Sequence, residues 1–158
     1  YLLTYHVQPT FFIDPHYLVI GMHIDDEIYG PAYKGYGEDA AKGLRGMSRY
    51  FENQIVMKGP DTVLVLVKAS PEVIRRRMKE SPHEHPIIRE EAVEHILGRF
   101  EEAFDRSIIG VPGRKLTLDT STASVEETLA EFVRKIEPTL SDVDRLRILM
   151  HRTLSAEA

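Results

Sequence analysis

Residues 61–80, DTVLVLVKASPEVIRRRMKE, constrain this chain more than any other stretch. The apolar run VLVLV at 63–67 has the length and composition of a buried strand. It ends in a short turn at Ala69-Ser70-Pro71, and a helix then starts that carries Arg75, Arg76 and Arg77 in succession. A buried strand that feeds an arginine-bearing helix is a place where a protein can hold a polyanion.

The totals bound what surrounds that unit. With 158 residues, a single domain over 1–158 is expected, long enough to bury a core. Apolar residues at 42% and charged residues at 28% suit a globular chain. No apolar run approaches the about 20 residues of a membrane span, and no export-signal pattern opens the sequence, so no membrane and a cytoplasmic location are expected. The absence of cysteine excludes disulfides and thiolate metal sites. A net charge of −5 argues against a nucleic-acid polymer as partner, so any anion site must be a local arginine cluster. The chain opens on Tyr1 rather than methionine, and an N-terminal truncation is expected.

In chain order, residues 1–16 read as loop and turn, because FFI at 11–13 is bracketed by Pro9 and Pro15. YLVIGMHI at 17–24 reads as a strand buried on both faces, ending at Asp25-Asp26-Glu27. The carboxyl edge of a parallel sheet is where ligands bind. GPAYKGYG at 30–37 is a glycine- and tyrosine-rich loop. Residues 38–57 form a helix with Leu44, Met47, Phe51 and Ile55 at helical spacing, closed by Gly59 and Pro60. This long helix is also a candidate homodimer interface. After the opening strand and its arginine helix, 81–86 is a loop with two prolines. Residues 87–107 form a helix with the stripe Val93, Ile96, Leu97, Phe100 and Phe104. A turn at 110–113 leads to a short strand at 115–118 that ends at Asp119. Ser124 and Glu127 make a capping box for a helix with the stripe Val125, Leu129, Phe132, Val133 and Ile136. Pro138 ends it, and Ser141 starts the last helix. Strand, helix, strand, helix, helix, strand, helix is an α/β pattern with a parallel sheet.

Several clusters carry chemistry. Three consecutive helix positions point about 100° apart, so Arg75, Arg76 and Arg77 cannot all meet one ligand. They are candidate anion ligands or solvated charges paired with Glu72, Glu80 or Glu84. Asp25 and Asp26, with Glu27, can hold Mg2+ through waters or accept a proton from a hydroxyl nucleophile; they can equally be the polar end of a strand. Tyr29, Tyr33 and Tyr36 can cover a base or sugar, or pack on the next helix, and Lys34 can reach a phosphate. His83, His85 and His95 form a weak metal-like set, and mobile-loop polarity is the alternative. Thr120 and Ser121, after Asp119, can offer hydroxyl and backbone groups to a nucleobase, and the same segment starts a helix.

Three of these segments together resemble a P-loop nucleoside or nucleotide kinase, the thymidylate-kinase and deoxynucleoside-kinase group, over about 17–136. They are the acid-ended segment with its tyrosine-rich loop, VLVKASPEVIRRRMKES, and LTLDTSTASVEETLAEFV. The resemblance implies a three-layer parallel sheet flanked by helices, with the N-terminal strand and phosphate loop missing and a lid at 71–107. It implies an ATP- and Mg2+-dependent phosphotransferase acting on a nucleoside, nucleotide or similar small acceptor. Catalytic roles would fall to Asp25, Asp26 and Arg77, with Arg77 at the first lid position and Arg89 closing from beyond the loop as a substrate ligand beside Tyr29, Tyr33, Lys34 and Tyr36. Cofactor contacts would fall to Arg77, Thr120 and Ser121, and the metal to Asp25 and Asp26. Two features depart from that pattern. No G-x-x-x-x-G-K-[ST] loop occurs, so these residues alone are expected to be inactive, and no arginine follows the acids. The alternatives are a non-catalytic binding protein on the same fold, or another P-loop transferase such as a sulfotransferase relative.

Overall fold

The computed structural model describes residues 18–33, 38–82, 84 and 88–156. Along them run α1 (His23–Tyr33), α2 (Glu38–Lys58), β1 (Leu64–Lys68), α3 (Pro71–Glu80), α4 (Val93–Arg106), β2 (Lys115–Asp119), α5 (Val125–Ile136) and α6 (Asp142–Ala156). Short 3-10 turns at Glu90–Ala92 and Glu137–Thr139 precede α4 and follow α5. The architecture is mixed α/β and mostly helical. Among the described residues the sheet has two strands, β1 and β2, parallel and in register from Leu64 opposite Lys115 to Lys68 opposite Asp119. No helix of the described residues is long and apolar enough to cross a membrane.

The strand, turn and capped helix of the central unit form where the sequence places them, although no residue of β1 is fully buried. Ser70 caps α3, its hydroxyl accepting from the Val73 amide at 3.4 Å, and Pro71 takes the first helical position, where its missing N–H costs nothing. The parallel crossover from β1 to β2 runs through α3 and α4, as parallel neighbours require. Helix α4 touches α1, α3 and β1, so it is the element on which the others converge. Its stripe supplies the core: Val93, Ile96 and Ala103 are buried, and Ile96 and Ala103 cluster with Ile28 of α1, with Phe100 and Tyr29 packed around them. Helix α5 lies on β2, and Lys135 reaches back to donate to the Thr117 carbonyl at 2.6 Å.

Four expectations are corrected. First, 17–24 does not form the expected strand within its described part. Residues 18–20 take no regular structure, and Leu18 and Ile20 stand 84% and 88% exposed. Gly21 and Met22 both adopt positive φ, which ends the extended backbone, and the helix α1 starts at His23. Asp25 and Asp26 therefore sit in the first turn of a helix, where the N-terminal dipole favours carboxylates, and not at the end of a strand. Second, the three-layer sheet is reduced to two strands among the described residues. With β2 the only partner of β1 there, Val67 is left 60% exposed where burial was expected. Third, the buried face of α2 is rotated. Ser48 and Glu52 are buried while Met47 is exposed, because polar partners for Ser48 and Glu52 come from α1 and the segment after α4. Fourth, the stripe of α5 is only partly covered: Phe132 and Ile136 are half-buried, but Val125, Leu129 and Val133 are exposed.

Candidate functional site

The carboxyl ends of β1 and β2 lie side by side, and both chains turn there into helix-capping segments. After β1 the Ser70 amide donates to the Ser121 hydroxyl at 2.8 Å. After β2 the Thr120 amide donates to the Lys68 carbonyl at 2.8 Å, and the Thr120 hydroxyl donates to the same carbonyl at 3.1 Å. Asp119 Oδ1 accepts from both the Ser121 amide, at 2.8 Å, and the Ser121 hydroxyl, at 2.5 Å. Those two bonds, the hydroxyl first, hold the Asp119 carboxyl below its ordinary pKa. The Ser124 capping box then opens α5: its hydroxyl accepts from the Glu127 amide at 3.1 Å, and Glu127 accepts from the Ser124 amide at 2.8 Å.

Into this edge reaches Arg77. Its NH1 donates to the Thr120 hydroxyl at 3.0 Å and its NH2 to the Thr120 carbonyl at 2.7 Å. The other two arginines diverge as helical geometry requires. Arg75 turns to α4, where its Nε donates to the Glu90 carbonyl at 3.3 Å and its NH2 pairs with Glu94. Arg76 stays along α3 with Glu80 at 3.7 Å. Of the residues singled out from the sequence, the structure thus brings Arg77, Thr120 and Ser121 together. Lys68, at the end of β1, was not singled out. It donates to Glu101 of α4 at 2.8 Å, a bond that raises its pKa.

The remaining candidates are distributed elsewhere. Asp25 is half-buried and Asp26 exposed on α1, which packs on α2 and α4. Burial first, then the Asp26 charge, push the Asp25 carboxyl above its ordinary pKa, with His23 opposing. Tyr29 packs edge-to-face on Phe100 of α4, ring centroids 5.5 Å apart. Tyr33 is the last residue of α1, so the described part of the expected 30–37 loop, Gly30 to Tyr33, is helical instead. Arg89 is exposed immediately before the Glu90–Ala92 turn. His95 is exposed on α4. Lys34, Tyr36, His83 and His85 lie outside the described residues. Among the described residues no three His, Asp or Glu side chains converge as metal ligands. Magnesium needs only one or two carboxylates besides a substrate's phosphates. The adjacent Asp25 and Asp26 fit that requirement, because a cation would relieve the repulsion between them.

A second polar cluster joins Glu27 to residues that the sequence did not connect with it. Glu27 is 3% exposed and pairs with Arg106 at the end of α4. Beside it, His23 Nε2 stands 3.7 Å from Glu52 Oε1, too far for a hydrogen bond. The His23 ring stacks on Phe51. Glu52 Oε2 accepts from the Ile108 amide at 3.3 Å. Burial pushes the Glu52 carboxyl up, but the His23 imidazole, the Ser107 hydroxyl and the Ile108 amide together outweigh it and leave the pKa lowered. Both pairings join residues from separate elements, so no local spacing announces them.

Comparison with protein-family models, with curated proteins and with solved structures finds no match to this chain.

Proposed function

We propose that the protein containing these residues is a P-loop-type phosphotransferase that moves the γ-phosphoryl of ATP, with Mg2+, to a nucleoside, nucleotide or similar small acceptor. One observation carries the reading: Arg77, from the helix after β1, hydrogen-bonds Thr120 in the loop after β2, at the carboxyl ends of two parallel strands. In open α/β sheets that edge is where ligands bind. The loop Asp119-Thr120-Ser121 takes the nucleobase side of ATP, and Arg77 belongs to that donor side. Arg89, exposed before α4, is the cation for an anionic acceptor, with Tyr29, Tyr33, Lys34 and Tyr36 as further acceptor contacts. Asp25 and Asp26 hold the Mg2+, which would neutralise phosphate charge in the transition state. Phosphoryl transfer also needs a loop that cradles the β- and γ-phosphates. No G-x-x-x-x-G-K-[ST] occurs in these residues, so the reading requires one outside them.

The test is ATP-dependent phosphorylation of a nucleoside and nucleotide panel by the natural protein. Transfer to at least one acceptor is expected, and residues 1–158 alone should show no turnover. No transfer to any acceptor overturns the reading. Ligand binding without turnover would favour a non-catalytic binding protein, which the absence of an arginine directly after Asp25-Asp26-Glu27 also suits.

A further inference from the structure

We propose that Arg77 is a positioning residue: its guanidinium locks the loop after β2 onto α3 and so fixes the nucleobase side of the site, without contacting a phosphate. The nucleobase part of this inference rests on the reading given above. The lock itself rests on hydrogen bonds alone.

Thr120 is held from two directions. Its amide and hydroxyl donate to the Lys68 carbonyl at the end of β1, and its hydroxyl and carbonyl accept from Arg77 on α3. Ser121 is tied in turn to the Ser70 amide, the cap of the same helix. The loop and α3 therefore form one body before any ligand arrives. A guanidinium is suited to this task, because its planar fork bonds two oxygens of one residue in a fixed geometry. Arg75 and Arg76 leave the loop untouched: their partners are Glu90, Glu94 and Glu80. A guanidinium with one donor on each of two Thr120 oxygens is already oriented by the protein. Releasing it to a phosphate would undo the bonds that shape the loop.

Backbone hydrogen exchange on the 158-residue chain reads the lock without any ligand. In Arg77→Ala the bonded amides of the 120–124 loop, those of Thr120, Ser121 and Ser124, are expected to exchange about tenfold faster, while those of α4 keep wild-type rates. Arg77→Lys keeps the charge but loses the fork, and gives an intermediate rate. Arg76→Ala leaves the loop unchanged. Wild-type exchange at 120–124 in Arg77→Ala overturns the proposal, and so does equal acceleration along the whole chain, which marks global destabilisation. Should Arg77→Ala fail to fold, Arg77→Lys and Thr120→Val carry the test. Each must speed exchange in the loop, and the double variant must do less than the two effects combined. Titration of the natural protein, carrying the same substitutions, with adenosine and with ADP then separates the two roles. A positioning residue weakens both by the same factor on Arg77→Lys substitution. A phosphate ligand weakens ADP alone, and that result overturns the proposal. If the natural wild-type protein takes neither, the nucleobase assignment falls with the ATP reading, while exchange on the 158-residue chain still decides the lock.

Discussion

Arg106 at the carboxyl end of α4 pairs with Glu27 in the middle of α1, across 79 residues of sequence. The carboxylate is buried beside Ile28 of the core cluster, whereas the Arg106 side chain is 54% exposed. The pair is therefore asymmetric, and so are its two deletions.

Glu27→Gln leaves an arginine that water can solvate, and should cost about 1 kcal/mol. Arg106→Ala leaves a carboxylate buried without its partner, and should cost more, about 3 kcal/mol or above. Urea unfolding of the two variants gives the order directly. A larger loss for Glu27→Gln would show that the carboxylate is held by something other than Arg106.

Glu52 is expected to make the fold acid-sensitive. Its folded pKa lies below the ordinary 4.5. A depressed carboxylate contributes stability above its unfolded pKa and loses it as pH falls through the folded value. Glu52→Gln should therefore be less stable than wild type at neutral pH and show a shallower loss below about pH 4.5. Exposed Glu94 and Asp119 are also shifted down, so part of the acid limb persists in the variant. Melting temperatures from pH 7 to pH 3 check this, and identical limbs would remove Glu52 from the account.

Asp25 has the opposite sign. Its folded pKa is raised, so the folded state holds the proton more tightly than the unfolded chain. The charged form then costs stability at neutral pH, and the cost fades as pH falls toward the ordinary 3.8. Asp25→Asn should melt higher than wild type at pH 7 in the absence of divalent cations. Added Mg2+ should raise the wild-type melting temperature and leave Asp25→Asn unmoved. An equal response of both proteins would take the cation off this pair.

Gly110 sets the turn that leads into β2. Its φ is +74°, and a Cβ there would run into the Arg114 carbonyl, which accepts from the Leu64 amide at 2.9 Å. Gly110→Ala should cost at least about 2 kcal/mol, from backbone strain and from displacement of a bond that starts β1. Gly113 has a φ of +79° but open space around it, so Gly113→Ala should cost only the conformational strain, about 1 kcal/mol. Chemical denaturation of both variants tests the difference.

Much of the local structure was legible in the sequence. VLVLV followed by Ser70-Pro71 made a strand and a capped helix. Ser124 with Glu127 made a capping box, and the stripe from Val93 to Phe104 made the core helix. These signals lie within a few residues of each other, and the forces behind them act over one turn. The failure at 17–24 is equally physical. An apolar β-branched run becomes a strand only if a neighbouring strand accepts its hydrogen bonds, and the positive φ values at Gly21 and Met22 end the extended chain instead.

By itself the sequence determined which segments become α2, α3, β2 and α5, because periodicity, caps and turn residues are local, although of the described part of the helix expected over 87–107 only Val93–Arg106 is regular, after a 3-10 turn at Glu90–Ala92. It also determined that Arg75, Arg76 and Arg77 must diverge, because the helix places successive side chains about 100° apart. Only the tertiary structure decided where each of them goes. The parallel pairing of β1 with β2 sets Thr120 beside the Lys68 carbonyl, and that register alone puts Thr120 within reach of Arg77. Packing of α1 between α2 and α4 likewise brought His23 to Glu52 and Glu27 to Arg106. Such pairs depend on how elements dock, which no spacing along one of them can encode.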